Sequence, residues 1–133
     1  MKILKYKPIN RRQNNNSPTN NTPYEDFDQT RIASYLEEKK LKFTSIPNST
    51  YTKSRWQKRK NTETGLRPGL PDLLIIIKNK LIFIEMKREK GGVVSDSQKA
   101  WIEALNDISV DIKAHVAKGF EEAKKIIDYY IEI

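Results

Sequence analysis

Two carboxylates and an ammonium group flank one strongly apolar stretch of this chain. Asp72 follows Pro71 directly, twelve residues intervene, and then comes Glu85-Met86-Lys87. Charged groups at the edge of an apolar sheet are costly to bury unless an ion or a ligand compensates them. Carboxylate oxygens are hard ligands of the kind Mg²⁺ prefers, and Mg²⁺ is usually held by few carboxylates and several waters. Such an ion meets both needs of phosphodiester hydrolysis: a water made nucleophilic at neutral pH, and neutralised charge on the leaving oxygen. Asp72 and Glu85 supply two oxygen ligands, and the backbone carbonyl of Met86 could supply another. Lys87 can position the attacking water or stabilise charge on the phosphate, whereas service as a base would require a depressed pKa.

The elements that would position these groups are legible on either side. Leu73 to Ile77 and Leu81 to Ile84 are rich in Ile, Leu and Phe and are separated by Lys78-Asn79-Lys80, which predicts two paired, buried strands. Alternation places Glu85 and Lys87 on the face of Leu81 and Phe83. A tight turn near Asn79 then makes Asp72 and Glu85 neighbours. Gly65, Pro68, Gly69 and Pro71, with Arg67 among them, form a turn-rich approach to the first strand. Beyond the second, Lys87 to Gly92 is a charged loop that includes Lys90. Ser95-Asp96-Ser97-Gln98 has the form of a capping box, so Gln98 has a structural reading, and Trp101, Ile102, Leu105 and Ile108 give the helix that follows an apolar stripe.

Upstream, residues 1–21 contain Arg11-Arg12, repeated Asn, Pro8 and Pro18, and read as a flexible basic arm ahead of a domain over residues 22–133. Thr22-Pro23-Tyr24-Glu25 has the form of a helix start, and the helix is expected to run to about Lys40. At about 100° per residue, Glu25, Gln29, Ile32 and Leu36 share one stripe. Glu25 therefore has two readings, completing the helix cap or pointing inward with the apolar residues. Leu41 to Pro47 is expected as a short strand. Ser49 to Asn61 is expected as an extended or loop segment in which Lys53, Arg55, Lys58, Arg59 and Lys60 are interleaved with Tyr51 and Trp56. Basic groups contact phosphates and aromatic rings stack on bases or sugars, so this segment is the best nucleic-acid surface in the chain, a solvated loop being the alternative.

Downstream, Val110, Ile112, Ala114 and Val116 alternate with polar or small residues, as in a half-buried strand with His115 facing away from the core. Gly119 leads into a last helix from Phe120 to about Ile131, with Phe120, Ala123, Ile126, Ile127 and Tyr130 inward. The order helix, strands, helix, strand, helix predicts an α/β fold with a central mixed β-sheet flanked by helices.

Composition narrows the chemistry. The 133 residues include no cysteine and one histidine, which excludes disulfides, thiolate chemistry and zinc sites built on several imidazoles. The net charge of +8 and pI of about 9.6 favour a polyanionic partner such as nucleic acid. No apolar run approaches the roughly 18 residues of a membrane span, and MKILKYKPI lacks the apolar core of a signal peptide. No membrane partner is expected, and a cytoplasmic location is (host cytoplasm, if the chain is viral).

Proline-Asp, an apolar hairpin and Glu-Met-Lys resemble the PD-(D/E)-x-K nuclease superfamily. Within it, Gly69-Leu70-Pro71-Asp72, Ile84-Glu85-Met86-Lys87 and Ser95-x-x-Gln98 are similar to the VRR-NUC family, found in viral and bacterial replication and repair proteins. Glu25 and Gln29, in the first predicted helix, match that family's Glu and Gln, and the resemblance runs from residue 24 to about 130. It implies a restriction-endonuclease-like core and a Mg²⁺- or Mn²⁺-dependent DNA endonuclease. It also implies that Glu25, Asp72 and Glu85 bind metal, that Lys87 is catalytic, and that Gln98 orients groups around the site. Small members of such families commonly act as homodimers on branched DNA such as four-way junctions. A restriction-like, homing or nicking enzyme with sequence preference, an inactive DNA-binding module, and RNA as substrate stand as alternatives.

Overall fold

A computed structural model describes residues 23–47 and 54–133, with side chains from Asp26 onward. The basic arm, the predicted Thr22 cap, the Glu25 side chain and Lys53 lie outside the described residues. The elements, in order, are α1 (Pro23–Glu38), β1 (Lys42–Ser45), α2 (Arg55–Glu63), β2 (Leu73–Ile77), β3 (Lys80–Lys87), α3 (Asp96–Asn106), β4 (Ile112–Lys118) and α4 (Gly119–Glu132). The four strands form one mixed sheet in the order β1-β2-β3-β4, with β1/β2 and β2/β3 antiparallel and β3/β4 parallel. The fold is thus the predicted α/β, restriction-endonuclease-like core.

The hairpin turns through Lys78 and Asn79, with Lys78 at φ 56° and Ile77 opposite Lys80. Its register sets Leu73 against Ile84 and Leu74 against Phe83. The larger core, on one face, joins Ile32 and Leu36 of α1, Ala123, Ile127 and Tyr130 of α4, and Leu73, Ile75, Ile77, Ile82, Ile84 and Met86 of the hairpin. Each fully buried Ile or Leu stabilises the fold by roughly 1.5–3 kcal/mol. On the other face Phe83, Leu105 and Ala114 pack together with Leu74, Leu81 and Ile102, so α3 covers that side. Tyr35 of α1 donates a hydrogen bond to Asp128 of α4, tying the two helices of the larger face together.

Three expectations are corrected. The segment around Arg55 is a helix, α2, instead of a loop, capped by the Ser54 hydroxyl and with no buried residue. Ile108 and Val110 are exposed, outside α3 and β4. His115 does not face solvent: β4 is covered on both faces, and the imidazole Nε2 lies 2.6 Å from the Tyr130 hydroxyl of α4. Burial, and then the charge of Lys113, lower its pKa. Among the described residues, no helix is long and apolar enough to cross a membrane.

Candidate metal centre and nucleic-acid interface

The approach to β2 is built to be held against α3. Gly69 has φ 106°, and a Cβ there would lie 2.6 Å from the carbonyl of Ser97, in the first turn of α3. Only glycine permits both the left-handed backbone and that approach. The Trp101 indole N–H donates to the Pro68 carbonyl at 3.0 Å, fixing the loop to the same helix. Asp72 is then anchored twice: its carbonyl accepts from the Ile46 N–H at 2.7 Å, and its Oδ2 accepts from the Met86 N–H at 2.8 Å.

The hairpin register, continued by one pair past Leu73 and Ile84, brings Glu85 to Asp72. Glu85 is 3% exposed. Its Oε1 accepts from the Gln98 amide at 2.7 Å and lies 3.6 Å from the Lys87 ammonium. Its Oε2 is buried with no hydrogen-bond partner among the described residues. Burial, reinforced by the adjacent Asp72 carboxylate and only partly offset by Lys87, pushes the Glu85 pKa up to about 8. An ionised carboxylate with an unsatisfied buried oxygen is costly, and a cation between it and Asp72 would remove that cost. The donor set therefore fits a hard divalent metal.

Gln98 serves two elements at once. The Ser95 hydroxyl accepts from the Gln98 N–H at 3.2 Å, and Gln98 Oε1 accepts from the Ser95 N–H at 2.9 Å, a complete capping box. The amide nitrogen left over by that cap is the donor to Glu85. The structural reading of this residue is realised in the cap, and the same side chain also reaches Glu85.

Asp72, Glu85, Met86, Lys87 and Gln98 thus converge. Glu25 lies in α1, the helix that packs on β3, but among the described residues no three carboxylate or imidazole side chains form a cluster. Gln29, one turn on, is half-buried. Arg55, Lys58 and Arg59 fall on one outward side of α2, while Gln57 and Asn61, bonded to each other at 2.7 Å, are its less exposed side. The Lys60 ammonium sits 4.8 Å from the centre of the exposed Trp56 ring. Arg67 is exposed, and it donates to the carbonyls of Thr62 and Leu66 at 3.1 and 3.0 Å, bracing the end of α2. Lys90 is exposed beside a cleft it shares with Phe27, Asp28, Arg88 and Glu89. Trp101 and Phe27 were not singled out from the sequence for the site, whereas Gly69 was, in the turn-rich approach and in Gly69-Leu70-Pro71-Asp72.

A mixed sheet in which Pro-Asp and Glu-x-Lys meet across one antiparallel ladder is the core of a PD-(D/E)-x-K nuclease. The VRR-NUC domain matches residues 10–121, and the chain belongs to that family, a nuclease family. A solved structure described as a VRR_NUC domain protein is similar, with a TM-score of 0.67 and 26% identity over 82% of this chain and 88% of that one. No curated protein matches the chain.

Proposed function

We propose that this nuclease is a Mg²⁺- or Mn²⁺-dependent DNA endonuclease that cuts branched, flapped or four-way-junction DNA during replication, repair or recombination. The observation that carries the metal is the buried, unpartnered Glu85 Oε2 beside Asp72. Asp72 and Glu85 would hold the ion, with Glu25 and the Met86 carbonyl completing the protein ligands. When bound, the ion supplies an acidified water and charge neutralisation at the leaving oxygen. Gln98 keeps Glu85 Oε1 oriented, and Lys87 is placed to position the attacking water or the scissile phosphate.

The proposed DNA contacts are Lys53, Arg55, Lys58, Arg59, Lys60 and Arg67 for phosphates, Trp56 for stacking, and Gln29 and Lys90 as further contacts. With no buried residue, α2 gives its side chains to solvent and so to a ligand. We extend the proposal to the basic arm of residues 1–21 as a further DNA contact, and to a homodimer, which would present two cutting sites to two strands.

The test incubates the protein with labelled linear duplex, flap and four-way-junction DNA, with Mg²⁺, Mn²⁺ or EDTA. Metal-dependent cutting of the flap or junction, with linear duplex largely spared and Asp72→Ala and Lys87→Ala inactive, is expected. Cutting of linear duplex at fixed sequences would instead indicate a restriction-like or nicking enzyme. Binding without cutting would indicate an inactive module.

A further inference from the structure

A cleft of about 460 Å³ opens beside the exit of β3, lined by Phe27, Asp28, Arg88, Glu89 and Lys90. Arg88 directly follows Lys87, so the cleft lies just past the end of the strand that carries Glu85 and Lys87. Three elements meet there: α1, the loop after β3, and the start of α4. Gly119, at φ 82°, opens α4 beside them: its Cβ position lies in ordinary contact range of Glu89 Cβ, 3.4 Å, and of Asp28 Oδ2, 3.9 Å.

The lining has three kinds of chemistry. Phe27 is 62% exposed and presents a ring to the cleft. Behind it the Arg31 guanidinium lies 5.9 Å from its centre and 3.9 Å from that of Phe120, so cation and rings form a row. Asp28 and Glu89 provide carboxylates that accept hydrogen bonds, Asp28 standing 3.9 Å from Arg31. Lys90 is an exposed cation at the rim.

An aromatic face, acceptor-only carboxylates and a rim cation match the three parts of a nucleotide: a π-face, the N–H groups of a base edge, and a phosphate. A base can offer its Watson–Crick edge to a carboxylate only when that edge is unpaired. The volume is in the range of pockets that hold one small ligand. We propose that this cleft holds one unpaired nucleotide next to the scissile phosphate, stacked on Phe27, so that the enzyme selects the boundary between single-stranded and duplex DNA. The proposal deepens the nuclease reading given above and rests on it.

The test is a binding cycle in EDTA, where nothing is cut. Fluorescence anisotropy measures the affinity of the full chain for flap DNA that carries either a base or an abasic residue at the unpaired position adjoining the duplex. The parent protein is expected to bind the abasic flap about tenfold more weakly, the size of one aromatic–base stack. Phe27→Ala is expected to bind both flaps alike, and Phe27→Trp to restore the preference. Equal binding of both flaps by the parent, or an undiminished preference in Phe27→Ala, would overturn the proposal. Because the readout does not involve cleavage, a protein that shows the preference yet cuts nothing would sink the nuclease mechanism and leave this site standing.

Discussion

The Gln98 amide nitrogen donates to Glu85 Oε1 at 2.7 Å while the oxygen of the same amide caps α3 through the Ser95 N–H. One side chain therefore links the start of a helix to the carboxylate at the centre of the site. The two roles separate under substitution. Gln98→Ala should lose the cap and the bond together, lowering stability by about 1 kcal/mol and slowing cleavage. Gln98→Glu keeps a capping-box acceptor but sets a carboxylate against Glu85. Its melting temperature should stay closer to that of the parent than the alanine variant's does, while cleavage at pH 7 falls at least about tenfold, the cost of one lost charge-assisted hydrogen bond. A glutamate variant as active as the parent would remove Gln98 from the site.

The buried carboxylate pair makes the metal-free protein sensitive to pH. Glu85 is raised from 4.5 to about 8, so the folded state keeps a proton that the unfolded state releases between those values. Stability without metal should be highest, as far as Glu85 is concerned, below about pH 4.5, and decline as pH rises towards 8 by up to about 1.4 kcal/mol per unit. Denaturant unfolding in EDTA from pH 5 to 8.5 measures it. The slope should be shallower in Glu85→Gln, and that difference separates Glu85 from His115, whose lowered pKa acts in the opposite sense. Parallel profiles for parent and variant would contradict the assignment.

Gly69 and Gly65 offer a controlled comparison. Both have positive φ, 106° and 100°, but a Cβ at Gly65 meets nothing within 4 Å, whereas one at Gly69 enters the Ser97 backbone. Gly65→Ala should cost roughly 1–2 kcal/mol of backbone strain. Gly69→Ala should cost roughly 2–4 kcal/mol, strain and overlap together, and should also reduce cleavage by shifting Asp72 away from Gln98. Calorimetric melting of both variants, with cleavage assayed well below the melting point, checks it; equal effects would mean that the loop does not depend on α3.

Helix α2 should matter for affinity and little for stability. Replacing Arg55, Lys58 and Arg59 together by Ala removes no buried group, so stability should change by no more than about 0.5 kcal/mol per site. DNA affinity should fall, and the slope of log affinity against log salt should become less steep by about 0.9 for each phosphate that the protein no longer neutralises. An unchanged slope would place the DNA elsewhere.

The central pair was readable because two local rules determine it. The strand period puts Glu85 and Lys87 on one face, and a two-residue turn at Lys78-Asn79 leaves one register, which returns Glu85 to Asp72. The link from Gln98 to Glu85 was not readable in the same way, since it depends on α3 lying against the Gly69 loop, a long-range packing event. Helix α2 escaped because its residues are almost all polar and no apolar period exists to detect; the Ser54 cap and the absence of Gly or Pro over 55–63 were the only signals. His115 was misplaced because alternation assumes one bare face, and β4 is covered on both. Phe27 sits between Asp26 and Asp28, so a polar helix face concealed the ring that borders the cleft.

The most direct measurement is calorimetric titration of Mn²⁺ into the protein and into Glu85→Gln at pH 7.5. Saturable binding by the parent, with a proton released into the buffer as Glu85 ionises and with binding greatly weakened in the variant, is the predicted result. No saturable heat with the parent, or the same affinity and proton release in Glu85→Gln, would contradict the claim that Asp72 and Glu85 form a metal centre.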